Sequence, residues 1–445
     1  MSKVSRPRLS PLSMAMFFRH FIAKDCELMS LDGRNRAIRL MVVSKGFLVA
    51  AQETLRYSTV SIRLATIHVD CPNIWIFHNF KTAFLTEKTA CAVIKLARPM
   101  IKKLIAMQYS GTPVKEIDST VIPFLIGVPV YEIWNNEEFD DYPTKLAKTL
   151  GADGHLKMLD CKLQNVITGQ GLEPLRAEHY LGEYDIYESP CDFEKLLHHN
   201  FRQIRLRMHC TAEVSDNYED QHHHRYHWAM VTFGKTEIVQ PAIEEIYLEN
   251  LADRFQVDEP LFLPLNFYKH VPNLKKLFYS THQSAVNYYY GESPSQALHK
   301  LGNFLDFMFK HVEQVLQTGT QTQFVFAINT TVFLNNNQSE NNWMEELVGS
   351  SVFANMKCEL VTESEMINRP DFQDTPTYHR FHCKSSTKPA LICTGQNMKM
   401  FLWARFDLLA QVQNLFFDNF MDTDYYEIWE DDLFWPNEWD YEMDF

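Results

Sequence analysis

Glycine is scarce in this chain, with 15 in 445 residues, and none of them stands in a phosphate-binding loop. The nearest approach is Gly169-Gln170-Gly171, but Pro174 falls where a dinucleotide fingerprint needs its third glycine. A nucleotide cradle is therefore not expected. No GxSxG elbow, HExxH order or CxxC pair occurs, so the signatures of a serine nucleophile, a zinc protease and a paired-cysteine metal site are missing. No apolar run is long enough to span a bilayer, because Lys, Arg, Asp or Pro interrupts each candidate within about a dozen residues. The nine cysteines are an odd number in a chain too long to need staples, so reduced thiols are the expected state. Asn329-Thr330-Thr331 and Asn337-Gln338-Ser339 match glycosylation acceptors, but no secretory signal accompanies them.

Basic residues are missing from one end. After Arg405 there is no Lys or Arg, and most of the acid behind the net charge of −14 lies between Asp422 and Asp444. The first 55 residues are basic by contrast. This polarity argues against general nucleic-acid binding, which needs a concentrated basic face with stacking aromatics. Residues 421–445 alternate acids with aromatics such as Tyr425, Trp429, Trp435 and Trp439. That mixture suits a tail that binds partners while its charges keep the aromatics exposed.

Two helical patterns open the chain. Ser10-Pro11 offers a capping hydroxyl and a first-turn proline. Met14, Phe17, Phe18, Phe21 and Ile22 then recur at helical spacing. In a second helix after Asp32, Ala37, Leu40, Met41, Leu48 and Ala51 form one stripe and Ile38, Val42 and Val49 another. A helix apolar on two sides needs two surfaces to cover it. Two ordinary core helices would show similar stripes. Lys3, Arg6, Arg8 and Arg19, ahead of the first acid Asp25, also fit a mitochondrial presequence.

The pair Leu9-Ser10-Pro11-Leu12 and Ile38-Arg39-Leu40-Met41-Val42-Val43-Ser44-Lys45-Gly46-Phe47 resembles the F-box, as found in the expanded nematode-type families. The resemblance implies a small all-α module over residues 1–57 that docks on the Skp-type adaptor of a cullin ubiquitin ligase. It places the contact on Pro11, Leu12, Phe17, Leu40, Val43 and Phe47. It also implies a cytoplasmic or nuclear location, a non-catalytic role and no cofactor.

Residues 58–420 are expected to be α/β. Val60–Val69 and Ile74–Leu85 read as strands, and Thr86–Ala97 as a helix. One passage recurs. Met100-Ile101-Lys102-Lys103-Leu104 returns as Val271-Pro272-Asn273-Leu274-Lys275-Lys276-Leu277 and as Gln240-Pro241-Ala242-Ile243-Glu244-Glu245-Ile246. Asn200–Leu206 keeps the spacing after a helix from Asp192 to His199, and Leu156–Cys161 is a fainter copy. Each unit is a turn, two polar residues facing solvent, then alternating apolar residues entering a strand. The pattern resembles the strand of leucine-rich repeats, but these units stand roughly 30 to 55 residues apart, against the usual 20 to about 29. An irregular repeat-like series of strand-helix units, holding a protein substrate, is the expectation. Coincidence within a generic α/β domain is the alternative.

Two loops are candidates for substrate contact: the acidic-aromatic stretch beginning at Trp134, and Tyr288-Tyr289-Tyr290 at a turn. In the second half, Ser295–Leu316 is the clearest helix, with Leu298, Leu301, Phe304, Leu305, Phe307, Met308 and Val312 on its apolar side. A strand over Phe324–Phe333 and a polar loop over Asn335–Asn342 follow. Met356–Val361, Tyr378–Cys383, Ala390–Cys393 and Met398–Ala404 read as short strands. His222-His223-His224 with His227 has metal-ligand chemistry but sits beside a run of acids typical of a solvated loop. His379, His382, Cys383 and Cys393 fit no standard zinc spacing. No metal is expected at either. The reading favoured is a substrate-recognition adaptor of a Skp-cullin-F-box ligase. The alternatives are an interaction scaffold without ligase attachment and, less favoured, a metal-dependent enzyme using the His222–His227 cluster.

Overall fold

The computed structural model describes residues 60–68, 71–78, 81–85, 101–108, 122–126, 130–135, 142–150, 156–167, 174–185, 193–209, 237–250, 263, 265–284, 294–334, 339–375 and 387–408, together with 13, 16, 45, 46, 48 and 49. The last six are helical, with Met16 and Val49 exposed. The expected helix at 86–97, the strand at 378–383, the histidine cluster at 222–227 and the acidic tail lie outside the described residues. The chain is α/β and divides into two compact units. The first comprises Met1–Leu251, Leu261–Tyr279 and Val315–Gln323; the second comprises Ala252–Pro260, Ser280–Gln314 and Phe324–Phe445. Among the described residues, no helix is long and apolar enough to cross a membrane.

The first unit begins with an antiparallel meander of β1 (Val60–His68), β2 (Cys71–His78) and β3 (Lys81–Leu85). The run expected as one strand, Ile74–Leu85, is thus two. Ile74 pairs with Leu85 and His78 with Lys81, and folding back lets the run satisfy its own backbone groups. From β1 the sheet turns parallel and then follows the chain. β4 (Ile101–Gln108) lies beside β1, and β5 (Glu132–Asn135), β6 (Met158–Lys162), β7 (Arg176–Asp185), β8 (Asn200–His209) and β9 (Glu245–Asn250) each pair in parallel with the strand before. The start of β10 (Lys276–Ser284) joins them, as the Lys275 and Lys276 amides donate to the Glu244 carbonyl.

Every copy of the recurring passage becomes a strand of this series, because each has the same order of buried and open positions. Ile101, Val130, Leu156, Ala177, Phe201, Ile243 and Leu274 are buried; the residues described between are more open; then Leu104, Ile133, Leu159, Tyr180, Ile204, Ile246 and Leu277 are buried. Full burial of one such aliphatic or aromatic side chain contributes about 1.5–3 kcal/mol, so the repeated slots fix the register. β5 and β7 are members of the series that the sequence pattern did not reveal. With them, β5, β6, β7 and β8 begin at residues 132, 158, 176 and 200, closer to the leucine-rich repeat period of 20 to about 29.

Side chains in the turns tie each strand entry to an earlier one. Buried His199 accepts from the Leu175 amide at 3.2 Å through Nδ1, and its Nε2 lies 3.1 Å from the Val166 carbonyl. The Gln240 amide donates to the Leu197 and His199 carbonyls at 3.2 and 2.7 Å. Asn273 donates to the Pro241 carbonyl at 2.8 Å, and the Thr322 hydroxyl to the Leu274 carbonyl at 2.9 Å. Among the helices of this unit, α1 (Ile122–Leu125), α2 (Tyr142–Leu150), α3 (Leu163–Ile167) and α4 (Phe193–Leu196), α2 is the longest. It buries Thr144, Leu146, Ala147 and Leu150 at helical spacing and packs on β5 and β6.

In the second unit α5 (Pro294–Gln317) buries Leu301, Phe304, Leu305, Met308, Phe309 and Val312. Phe307, expected on that side, is 41% exposed, while Phe309 takes a core place; a step of about 100° per residue swings 307 off the stripe. The strands run β12 (Lys357–Thr362), β13 (Pro389–Gly395), β14 (Met398–Leu408), β11 (Gln323–Leu334), antiparallel except for the parallel pair β11 and β14. Asn397, at φ 51°, makes the turn between β13 and β14, a left-handed position that asparagine tolerates well. Phe372, at the end of α8 (Pro370–Gln373), packs edge-on against Phe401 and Trp403. Residues 340–342, expected in a loop, open α6 (Glu340–Val348), because Ser339 accepts from the Asn342 amide at 3.1 Å as a cap. Thr362 and Glu365 form a capping box at α7 (Glu363–Ile367).

The expectation of reduced thiols is corrected at one place. Cys358 and Cys393 are opposite each other in the β12–β13 register, with Cα atoms 4.2 Å apart, and form a disulfide. Cross-strand pairing made them neighbours, and their separation of 35 residues gave no hint of it. Cys161 is free and buried. Asn329-Thr330-Thr331 lies within β11 rather than on a loop, which does not suit a glycosylation acceptor.

Candidate protein-interaction face

On each parallel strand of the first unit, the residues between the buried slots point away from the core. Register then lines them up. Lys103 is opposite Glu132, Glu132 opposite Met158, Met158 opposite His179, His179 opposite Gln203, and Gln203 opposite Glu245. All six are half-buried, which leaves the tips of Lys103, Glu132, His179, Gln203 and Glu245, and the thioether of Met158, for contact. Two residues further along each strand, Ile105 is opposite Trp134, and Leu181, Arg205 and Tyr247 follow one another across β7 to β9; Leu181 and Tyr247 are buried, so of these three Arg205 alone is open to contact.

Trp134 is half-buried on β5 rather than in a loop. Its indole N–H donates to Glu132 Oε2 at 2.9 Å. The Lys103 ammonium stands 4.0 Å from the indole centre and 4.0 Å from the same carboxylate. Burial lowers the Lys103 pKa, and Glu132 and then Asp160 oppose that shift. The indole is thereby held in place before any partner arrives, which lowers the ordering loss on binding. A cation over an aromatic ring at a partly open site adds about 0.5–1 kcal/mol.

Further along, charge pairing dominates. Arg202 bridges Glu178 at 3.3 Å and Glu244 at 3.2 Å, and Lys275 reaches Glu244 at 2.8 Å. The Lys275 hydrogen bond, ahead of the contributions of Arg202, holds the Glu244 carboxyl below its usual range. Deeper on the face, Arg205 pairs with buried Glu249, and the Tyr247 hydroxyl donates to Glu245 at 2.7 Å. His179 bonds Gln203 on the next strand. The face combines a fixed aromatic, polar side chains in register and paired charges, which is chemistry for recognising a surface. Among the described residues, no group of three or more His, Cys, Asp or Glu is placed to hold a metal.

Of the residues singled out from sequence, Trp134 belongs to this face, while Pro11, Leu12, Phe17, Leu40, Val43, Phe47, Tyr288, Tyr289 and Tyr290 lie outside the described residues. Cys393, grouped with His379, His382 and Cys383 as a weak metal set, is instead bonded to Cys358. Sequence reasoning missed Lys103, Glu132, His179 and Gln203 as a set. Their signal was the second polar position after each first aliphatic, which becomes a row only when the strands are aligned. No family model, no curated protein and no solved structure matches the chain.

Proposed function

We propose that this protein is a non-catalytic substrate-recognition adaptor of a Skp-cullin-F-box ubiquitin ligase, working in the cytoplasm or nucleus. Residues 1–57 would form the all-α module that meets the Skp-type adaptor, and the α/β region would hold a protein substrate. The observation that supports the second half is the row from Lys103 to Glu245, drawn from consecutive parallel strands, with the braced Trp134 beside it. The F-box resemblance supports the first half. Such an adaptor needs two binding surfaces and no active site, because it acts by raising the substrate's effective concentration near the transferring enzyme.

Co-purification of the full chain with a Skp-type adaptor tests this reading, beside a Val43→Glu variant that sets a charge in the proposed contact. Binding by the parent and loss in a variant with unchanged circular dichroism support it. Equal recovery with both, or with neither, removes the ligase attachment. An interaction scaffold that uses the same α/β face without a ligase is the second reading, supported by the same row of side chains, which needs no ligase module.

A further inference from the structure

The chain is strongly acidic overall, at −14, yet the edge where β6 to β10 begin is not. Arg176, Lys195 and Lys269 are exposed there. Arg176 opens β7, Lys195 lies in α4 just before β8, and Lys269 lies in the short turn of helix Phe267–Lys269 before β10. No acid among the described residues pairs with any of the three. Lys157 and Lys275 are exposed immediately before β6 and β10, and Arg202 is exposed near the start of β8; the acids between them, Glu178 and Glu244, are half-buried under the arms of Arg202 and Lys275. At the end of α2, exposed Lys148 is close enough to His199 to act on it electrostatically. Among the residues from 101 to 279 whose exposure is described, Glu237 is the one fully exposed acid. Among the residues whose exposure is described, cations therefore form the outer layer of this edge, against the sign of the whole chain.

We infer that this strand-start edge docks an extended acidic segment of a partner protein. Neighbouring strands stand about 4.8 Å apart, so the cations at the starts of β6, β8 and β10 recur about every 10 Å, the length of about three extended residues. A chain laid across the strands passes one of these long, flexible cations about every three residues, with Arg176, Lys195 and Lys269 alongside. Single-stranded nucleic acid would need exposed aromatic platforms beside the cations; the exposed neighbours here include Pro174, His198, Pro272 and Asn273, and Tyr131, 5.9 Å from the Lys157 ammonium, is half-buried. The inference rests on the reading of the α/β region as protein-binding and names the class of partner.

The test uses the full chain and a fluorescein-labelled peptide of repeated Glu-Asp-Gly, with repeated Gln-Asn-Gly as control, followed by fluorescence anisotropy at low and high salt. The acidic peptide should bind, the control should not, and added salt should weaken the complex. Combined Arg176→Gln, Lys195→Gln and Lys269→Gln should weaken binding about tenfold, since exposed charge contacts give up to about 1 kcal/mol each. Lys195→Arg with Lys269→Arg should bind like the parent, as should Lys310→Gln on α5. No binding of the acidic peptide, equal binding of the control peptide, or an unchanged affinity in a folded triple-Gln protein overturns the inference. So does tighter binding of an oligouridylate of equal length. No Skp-type adaptor is present in the titration, so failure of ligase attachment and failure of this edge are read separately.

Discussion

Gly182 sits at a core-facing slot of β7, where the neighbouring strands offer Cys161 and Leu206. A methyl group built there would stand 2.6 Å from the Tyr180 hydroxyl oxygen, 2.9 Å from Tyr180 Cζ and 2.9 Å from Leu206 Cδ2. The ring cannot swing aside freely. Tyr180 is buried, stacks on Phe201 at 4.8 Å between centroids, and donates to the Cys161 carbonyl at 3.3 Å. Gly182→Ala gains about 0.5–1 kcal/mol of backbone entropy, but overpacking of a filled core costs about 1–3 kcal/mol. The expected net is a loss of about 1–2 kcal/mol, or some 2–8 °C in Tm for a unit of this size. Differential scanning calorimetry reads the shift. Adding Tyr180→Phe removes the closest clash, so the double variant should be less destabilised than the sum of the singles, a coupling resolved by a double-mutant cycle. A Gly182→Ala protein as stable as the parent would refute the account of how β7 fills its core.

Two further predictions concern the second unit. Burial pushes the His311 pKa down to about 4 from 6.5, so below pH 6.5 the unfolded chain binds a proton that the folded chain does not. Stability is full above pH 6.5 and falls between about 6.5 and 4, by about 2–3 kcal/mol; urea midpoints across that range should follow it and should flatten in His311→Phe. For the Cys358–Cys393 bond, closing a segment of 35 residues gives about 3–4 kcal/mol by loop entropy. Dithiothreitol should therefore lower the denaturant midpoint of the parent and leave Cys358→Ser, already weakened, unmoved; equal midpoints with and without reductant would count against the bond.

The legible part of the fold was the part with a strong alternation of apolar and polar residues. Ile243-Glu244-Glu245-Ile246 announces its strand because aliphatic residues hold both buried slots. β7 did not, because Ala177 and Gly182 occupy slots where others have large side chains, and Tyr180 supplies the missing volume. β5 was hidden by acids around Trp134, which lowered its apparent strand character while leaving Val130 and Ile133 to do the packing. Trp134 itself could be picked out as an aromatic among acids. Its partner Lys103, like His179 and Gln203, could not, since only the register brings residues so far apart in the chain side by side. The disulfide was illegible for the same reason.

Three of the side-chain donors in the turns share a direction, while His199 accepts from the earlier Leu175 amide. Gln240 reaches the carbonyls of 197 and 199, Asn273 that of 241, and Thr322 that of 274; each of these donors lies later in the chain than its acceptor. A ribosome releases the chain in that same order. Every new strand can then dock on a surface whose acceptors are already set, and none has to wait for a later one to satisfy these side chains. Vectorial synthesis and these three bonds run the same way, so the strand entries they tie can be set one after another from the N-terminal side.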